Sequence, residues 1–309
     1  MTQARQELAQ MAPGRPTAVT LGKFDGVHRG HQHLIARLVQ RAQEEGLAPV
    51  VVVLHPHPAI VLQPGTPITY LCTLEERLRR LQALGPERVG VLTFTPEVAS
   101  LSAREFVALL RQVLDMRLMV MGPDTALGKG REGHVQALAS LGQEMGFQVE
   151  VVPILEEGGQ KVGSSAVREA LARGDMERVA HLLGRPYVLQ GPVVRGDGRG
   201  RELGFPTANI AVPADLALPP YGIYVTRAYV GEVGLPACTS IGIRPTFAGR
   251  EMAVETYILD FDGDLYGKEL RIELLYRLRD EEKFPTVEAL VEAMHRDILQ
   301  AREYFARHG

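Results

Sequence analysis

Short runs of β-branched and aliphatic residues alternate with amphipathic stretches through residues 1–183 of this 309-residue chain. These runs lie at residues 17–21, 50–54, 89–93, 118–121 and 149–152. Continuous apolar runs are typical of strands that are buried on both faces, and such strands belong to parallel sheets. Because amphipathic helical patterns separate them, the sequence predicts a doubly wound α/β domain with helices on both faces of the sheet.

Two of the intervening helices carry clear start signals. Thr73 is followed three residues later by Glu76, and Ser102 is followed by Glu105 at the same spacing. A hydroxyl residue with a glutamate three positions on can form a capping box, in which each side chain satisfies a free backbone N–H of the first helical turn. We therefore expect helices to begin directly after Thr73 and Ser102.

The pattern changes after Gly184, where glycine and proline become frequent and the apolar runs become short. Runs of β type lie at residues 223–229, 255–261 and 270–276. Regularly spaced short strands with turn residues between them favour a small antiparallel barrel. Residues 286–307 are amphipathic and predict a terminal helix on that barrel. We therefore predict two domains, residues 1–183 and 184–309.

Composition restricts the class of protein. The formal net charge is −3, so the chain has no excess of positive charge that would attract nucleic acid. Hydrophobic residues make up 45% of the chain, which is sufficient to form buried cores. No apolar run approaches the ~18 residues of a membrane span. Cys72 and Cys238 fit no metal or redox spacing. We expect a cytoplasmic protein without nucleic-acid or membrane partners, and the sequence leaves a weak homo-oligomer open.

The string Gly-Lys-Phe-Asp-Gly-Val-His-Arg-Gly-His occupies residues 22–31, between a predicted strand and a predicted helix. Glycines permit a close backbone approach to a ligand, and a helix N-terminus favours phosphate. Histidines there can donate hydrogen bonds to charge that develops on a phosphate. The alternative is an ordinary turn with surface histidines. The candidate phosphate-binding residues of this string are Gly22, Phe24, Asp25, His28, Gly30 and His31.

Three further segments add candidates to the first domain. His57 follows the predicted strand at residues 50–54, either at the rim of the sheet or simply in a rigid proline-rich loop. Asp124 follows another predicted strand and can bind a substrate group or start a turn. Ser164, Ser165 and Arg168 open a predicted helix, where hydroxyls and a guanidinium can hold a triphosphate, although serine is also a common N-cap.

A second glycine-rich string, residues 196–209, includes Gly198 and ends in Pro-Thr-Ala-Asn. Thr207 and Asn209 are two residues apart, so in an extended segment their side chains face the same way. A hydroxyl and an amide oxygen together suit Mg²⁺ on a nucleotide. The alternative is a hairpin with a polar edge, but Asn209 is the single asparagine in the chain, which favours a functional role.

These strings resemble those of the prokaryotic bifunctional riboflavin kinase/FMN adenylyltransferases, also called FAD synthetases. In the first half, residues 22–31, 55–58 and 164–168 carry the resemblance, and His-x-Gly-His also resembles the wider nucleotidyltransferase superfamily. In the second half it is carried by residues 185–187, 206–209, 221–224, 242–247, 254–255 and 266–268. Together they cover nearly the whole chain.

The resemblance implies two reactions, with ATP as co-substrate and Mg²⁺ as cofactor. A six-stranded barrel would phosphorylate riboflavin to FMN, with Glu255 as the base that accepts the proton of the ribityl hydroxyl. The α/β domain would adenylylate FMN to FAD and release pyrophosphate. The catalytic residues implied for that step are His28, His31 and Arg168. The resemblance also implies that His57, Asp124, Glu255 and Arg279 contact the flavin.

Two departures from the family pattern matter. Residues 125–127 are Thr-Ala-Leu where the family usually has aromatic residues, and residues 162–168 keep the hydroxyl pair and the arginine but not the full string. Alternatives are therefore a riboflavin kinase with a degenerate adenylyltransferase domain, or a non-enzymatic flavin or nucleotide sensor. An aminoacyl-tRNA synthetase is disfavoured by the acidic charge balance and by Pro-Thr-Ala-Asn in a barrel.

Overall fold

The chain divides into two compact units, Met1–Ser164 and Ser165–Gly309. The computed structural model describes residues 1–196, 198–246 and 249–308, so Asp197 and Phe247 of the motifs above lie outside the described residues. The predicted domain boundary between residues 183 and 184 stays a prediction, and each unit is described by itself.

The first unit combines a parallel sheet, a small hairpin and helices. Its strands are β1 (Thr17–Gly22), β2 (Ala48–His55), β3 (Arg88–Thr93), β4 (Met116–Met121), β5 (Gln148–Val151), β6 (Glu156–Glu157) and β7 (Gln160–Lys161). Its helices are α1 (Thr2–Met11), α2 (Arg29–Glu44), α3 (Pro58–Leu62), α4 (Leu74–Gln82), α5 (Pro96–Ala99), α6 (Ala103–Leu114) and α7 (Val135–Met145).

The main sheet of this unit has five parallel strands in the order β3-β2-β1-β4-β5. Alternate side chains of β1 enter different cores: Val19 packs with residues of α1, α6 and α7, whereas Ala18 packs with residues of α2 and α4. The predicted doubly wound α/β domain is thereby confirmed. Strand order reverses beside β1, and ligands of such sheets bind at the carboxyl ends of the strands near that point.

The predicted helix starts are also confirmed. The Thr73 hydroxyl accepts a hydrogen bond from the Glu76 N–H at the start of α4. Ser102 and Glu105 form a complete capping box at the start of α6. The first helix, α1, was not predicted from the sequence, and no side-chain hydrogen bond caps its start.

The second unit is a barrel with flanking helices. Its strands are β8 (Tyr187–Val194), β9 (Ala208–Ile210), β10 (Gly222–Val230), β11 (Val233–Thr246), β12 (Gly249–Ile258) and β13 (Glu269–Asp280). Its helices are α8 (Ser164–Arg173), α9 (Met176–Leu183), α10 (Arg199–Glu202) and α11 (Val287–His308).

These strands close in the order β10-β11-β12-β9-β8-β13, and every neighbouring pair is antiparallel. The predicted six-stranded barrel with a terminal helix is confirmed. The apolar run at residues 255–261 extends beyond its strand, because β12 ends at Ile258. Among the described residues, no helix is both long and apolar enough to cross a membrane.

Neighbouring residues of the barrel strands point to opposite faces. Cys238 and Tyr257 pack against Ala301 of α11 on the outer surface. The fully buried Thr226, Thr239 and Thr256 therefore face the interior, where their hydroxyls form a chain with oxygen–oxygen distances of 2.8 and 2.9 Å. This alternation places Glu255, which lies between Val254 and Thr256, on the outer surface.

Candidate active sites

A strained turn connects β1 to α2 at the carboxyl end of the central strand. Phe24 has φ of 49° and Val27 has φ of 43°, and both lie in the left-handed region. A β-branched residue rarely adopts this conformation, and such strain costs about 1–3 kcal/mol per residue. It persists only where the surroundings over-determine the backbone, and it clusters at functional sites. The strain is thus an independent indication that residues 22–31 form a binding turn.

The two histidines of this turn contact each other at the helix start. His28 is the N-cap of α2, and its Nδ1 accepts a hydrogen bond from the His31 N–H at 3.3 Å. The two rings stack with their centroids 3.6 Å apart. Because Nδ1 of His28 accepts a hydrogen bond, the ring carries a proton on Nε2 and can donate from there.

Burial lowers the pKa of His31 well below its ordinary value of 6.5, and its electrostatic interactions with His28, Arg77 and Lys23 lower it further. His31 is therefore neutral near pH 7. Its Nδ1 is buried and has no hydrogen-bond partner among the described residues. A neutral imidazole can donate a hydrogen bond to phosphate, and an anion bound beside it would raise its pKa.

Gly30 is required by a close backbone approach. A Cβ at this position would lie 2.6 Å from the carbonyl oxygen of Val162 and 3.2 Å from the His28 ring. A Cβ on Gly22 would lie 3.3 Å from the Phe24 ring. Gly30 therefore cannot carry a side chain without moving the backbone, whereas a Cβ at Gly22 would require only a small shift of the Phe24 ring.

Asp25 anchors the turn from inside. Its carboxylate is 4% exposed and accepts hydrogen bonds from the Leu71 N–H at 2.9 Å and from Arg77 Nη2 at 3.2 Å. Its backbone oxygen accepts a hydrogen bond from the Ser164 hydroxyl at 3.3 Å. These contacts of Asp25 hold the turn in place, and its predicted role in ATP binding stays a prediction.

The remaining candidates of the first site have separate surroundings. His57 caps α3, with Nδ1 accepting from the Ala59 N–H at 3.1 Å. Asp124 follows β4, is exposed, and forms an ion pair with Lys161. The structure brings Ser164 to the turn, whereas Ser165 and Arg168 lie in the part of α8 that belongs to the second unit.

The unusual Thr-Ala-Leu segment after Asp124 contributes to the core. Leu127 is 7% exposed and packs in the cluster that contains α6. Its backbone exchanges two hydrogen bonds with Gly133, at 3.0 and 2.9 Å. Leu127 therefore closes a loop onto the helix, a task that does not need the aromatic residues of the family pattern.

The second candidate site lies on the outer surface of the barrel. Asn209 of β9 is directly opposite Glu255 of β12 in the antiparallel ladder. The Thr207 hydroxyl donates a hydrogen bond to Glu255 Oε2 at 3.5 Å. The structure therefore brings together the three residues that the sequence analysis selected in this half, although Glu255 is 46 residues beyond Asn209 in the chain.

The glycine-rich segment before these residues packs directly on them. A Cβ on Gly196 would lie 2.4 Å from Nδ2 of Asn209, and a Cβ on Gly200 would lie 3.2 Å from Oγ1 of Thr207. Gly198 has φ of +75° with open space around it, so its role is to turn the chain. The segment thus holds the two polar side chains in place by contact.

The donor set of this site suits Mg²⁺. Thr207, Asn209 and Glu255 offer oxygen atoms, and hard cations prefer oxygen ligands completed by water and substrate phosphates. No group of three or more His, Cys, Asp or Glu residues arranged to hold a metal occurs in the described ranges. The residues therefore fit a magnesium ion that arrives with a nucleotide better than a cation bound by protein alone.

Arg279 differs in its surroundings from the other barrel candidates. Its guanidinium forms a bidentate pair with Asp297 of α11, at 2.9 and 2.8 Å, and lies over the Phe284 ring. The hydrogen bonds that Arg279 donates to the Asp297 carboxylate raise the pKa of Arg279 above its usual value. These contacts attach α11 to β13, and the predicted flavin contact of Arg279 stays a prediction.

Comparisons with known proteins match each half of the chain to a protein family. The FAD synthetase family model matches residues 11–166, and the riboflavin kinase family model matches residues 183–305. The bifunctional riboflavin kinase/FMN adenylyltransferase of Escherichia coli strain K12 is 36% identical over 95% of this chain and 94% of its own length. The enzyme of the same name from Bacillus subtilis strain 168 is 36% identical over 94% of this chain and 93% of its own length.

A similar solved structure covers the same extent. A crystal structure described as a macrolide-efflux protein from Streptococcus pneumoniae has a TM-score of 0.88 and 32% identity, over 96% of this chain and 97% of that one. Its description differs from the names of the curated relatives, but its fold agrees with the two family models in order and extent. The chain therefore belongs to the bifunctional riboflavin kinase/FMN adenylyltransferase family.

Proposed function

We propose that this chain converts riboflavin to FAD in two ATP-dependent steps, one in each half. Riboflavin and ATP give FMN and ADP at the barrel, and FMN and a second ATP give FAD and pyrophosphate at the α/β unit. The observation that carries the proposal is that the two family models lie side by side along one chain. The function predicted from the sequence is confirmed at the level of these two activities.

In FAD formation, an FMN phosphate oxygen attacks the α-phosphorus of ATP and pyrophosphate leaves. The phosphate nucleophile is already ionised near neutral pH, so the step needs no protein base. The demand is for orientation and for stabilisation of charge on the transferring phosphate. The N–H groups at the start of α2 and the rings of His28 and His31 are suited to this, because each can donate a hydrogen bond to a phosphate oxygen.

In FMN formation, the nucleophile is the neutral 5′-hydroxyl of the ribityl chain. It forms a bond to the γ-phosphorus of ATP while its proton passes to a carboxylate, for which we propose Glu255. The Thr207 hydroxyl is within hydrogen-bond distance of Glu255 Oε2 and can fix its orientation. The different chemistry of the two nucleophiles explains why a carboxylate is needed at the barrel and not at the turn.

We further propose that Thr207 and Asn209 hold Mg²⁺ together with the phosphates of ATP. When bound, the ion neutralises phosphate charge and supports the departure of the ADP oxygen. Binding of the flavin by His57, Asp124 and Arg279, and of ATP by Ser165 and Arg168, stays a proposal. The expectations of a cytoplasmic location, no nucleic-acid or membrane partner and a weak homo-oligomer also stay predictions.

The direct test is to incubate the purified protein with riboflavin, ATP and Mg²⁺ and to separate FMN from FAD by chromatography. We expect FMN to appear first and FAD to follow. FMN without FAD would support a kinase with a degenerate adenylyltransferase domain, and no product would support a sensor. His31→Ala is expected to reduce FAD formation by about 10²–10³-fold, the usual loss for one donor to developing charge, and to leave FMN formation unchanged.

A further inference from the structure

We propose that Arg77 and Tyr70 are positioning residues for FAD formation, joining the glycine-rich turn to the loop that carries His57. The proposal rests on the proposed function of the first unit and goes beyond it, because neither side chain belongs to the motifs from which that function is inferred. Four hydrogen bonds and one cation–π contact carry the argument.

Arg77 is an arginine without access to solvent. It lies on the second turn of α4, in a helix whose other arginines are more exposed, and its own exposure is 1%. A buried guanidinium is costly unless an opposite charge is near and its donors are paired. Nε of Arg77 is buried without a hydrogen-bond partner among the described residues, so the two Nη groups make the pairing contacts. Here Nη1 donates to the Lys23 carbonyl at 3.0 Å, and Nη2 donates to Asp25 Oδ1 at 3.2 Å.

These two contacts fix the direction of the glycine-rich turn. Lys23 and Asp25 flank Phe24, the residue with left-handed backbone geometry, so the planar fork holds the turn on both sides of its strained position. Lysine carries the same charge but lacks a planar fork, and it cannot donate in these two fixed directions at once. The charge of Arg77 also contributes to the low pKa of His31.

Tyr70 connects this arginine to the second loop. Its ring lies under the Arg77 guanidinium, with 5.1 Å between the central carbon and the ring centroid. Its hydroxyl accepts a hydrogen bond from the His57 N–H at 2.9 Å. The next residue, Leu71, donates its N–H to Asp25. One buried cluster therefore touches the turn proposed for ATP and the loop proposed for FMN.

The geometry separates the two roles. Arg77 acts on the turn, so its loss is expected to affect the rate of the chemical step, in which a displacement of 1 Å can cost 10²-fold. Tyr70 acts on the His57 loop through a single hydroxyl, so its loss is expected to affect FMN binding. Removing one hydrogen bond changes an affinity by about 2- to 10-fold.

The test uses the full chain and measures kcat and KM for both substrates of FAD formation, with circular dichroism and urea unfolding of each variant as the control for folding of the first unit. Tyr70→Phe keeps the ring under Arg77, and we expect a 2- to 10-fold higher KM for FMN with an unchanged KM for ATP. Arg77→Lys is expected to lower kcat by about 10- to 100-fold. The matched control is Arg79→Lys, on the exposed face of the same helix, which should retain parental values.

A pH titration separates positioning from a merely structural role. Arg77→Met removes one of the charges that lower the pKa of His31, so the pKa of His31 followed by NMR titration should rise, whereas Arg77→Lys keeps the charge and should leave that pKa in place. If the parent forms FAD and both Tyr70→Phe and Arg77→Lys keep its kinetic constants, this inference is overturned and the proposed function stands. If the parent forms no FAD, both are overturned.

Discussion

Replacing Gly196 with alanine should impair the proposed kinase, although Gly196 has no side chain to contribute. The new Cβ would lie 2.4 Å from Nδ2, 2.8 Å from Cγ and 2.9 Å from Oδ1 of Asn209. Ordinary contacts of a carbon atom are about 3.5–4.0 Å, so the amide would have to move by roughly 1 Å. A displacement of 1 Å at a reacting centre can cost 10²-fold in rate, and we expect that loss in FMN formation.

The assay compares both activities of one purified variant. FMN formation is measured at saturating riboflavin and ATP, and FAD formation is measured separately with supplied FMN. Because the displaced amide belongs to the barrel, the second rate should equal that of the parent. Gly163→Ala is the matched control, since a Cβ there would meet only the Lys161 side chain at 3.7 and 3.8 Å, which is ordinary contact.

Two results would contradict this reasoning. A Gly196→Ala variant that forms FMN at the parental rate would mean that the position of Asn209 does not limit the kinase step. A variant that loses both activities equally would point to general damage and not to a local displacement. Circular dichroism of the variant distinguishes a folded, inactive barrel from an unfolded one.

Three further predictions address the rest of the molecule. Glu255→Gln should lower FMN formation by 10²–10⁴-fold while FAD formation from supplied FMN survives, and a parental FMN rate would exclude Glu255 as the base. A fragment of residues 165–309 should melt at a higher temperature than a fragment of residues 184–309, because only the longer one contains α9, which packs on β8 and β13. Each fully buried aliphatic side chain of α9 contributes about 1.5–3 kcal/mol to the free energy of unfolding, and equal melting temperatures would contradict this prediction. The folded protein should lose stability as the pH falls below about 6.5, because His31 binds a proton more readily in the unfolded state than in the folded state. Urea titrations from pH 7 to 5 should show a smaller loss of unfolding free energy for His31→Gln than for the parent. Equal losses in the two proteins would refute this prediction.

The elements of the fold could be predicted wherever the pattern is local. Strand β2 (Ala48–His55) is apolar through most of its length because both of its faces are covered, and Ser102 with Glu105 marks the start of α6 within four residues of sequence. In contrast, α1 has no capping side chain and only a weak pattern, and it was missed. The sequence therefore located the elements that are marked by a signal within a few consecutive residues, such as an apolar run or a capping box.

In the barrel site, Thr207 and Asn209 could be selected from their types and spacing, and Glu255 from the family resemblance, but the contacts that position them could not be predicted. Arg77 resembles any surface arginine of an amphipathic helix, and only the folded chain shows that it lies against Lys23 and Asp25, about fifty residues earlier. The packing of Gly196 on Asn209 likewise depends on the pairing of β8 with β9. Such contacts depend on tertiary structure, which a single sequence does not display.

The chain of threonine hydroxyls inside the barrel has a consequence for folding fidelity. Glu255 and Thr256 are adjacent, so a ladder that slipped by one residue would exchange their faces and turn a carboxylate into the apolar interior. Thr226, Thr239 and Thr256 satisfy one another only when their strands are paired as observed. A slipped barrel would therefore lose these hydrogen bonds and also bury an unpaired charge, both of which are costly. The three threonine hydroxyls thus discriminate against misfolded barrels in which Glu255, the carboxylate proposed as the base, would be out of reach of any substrate.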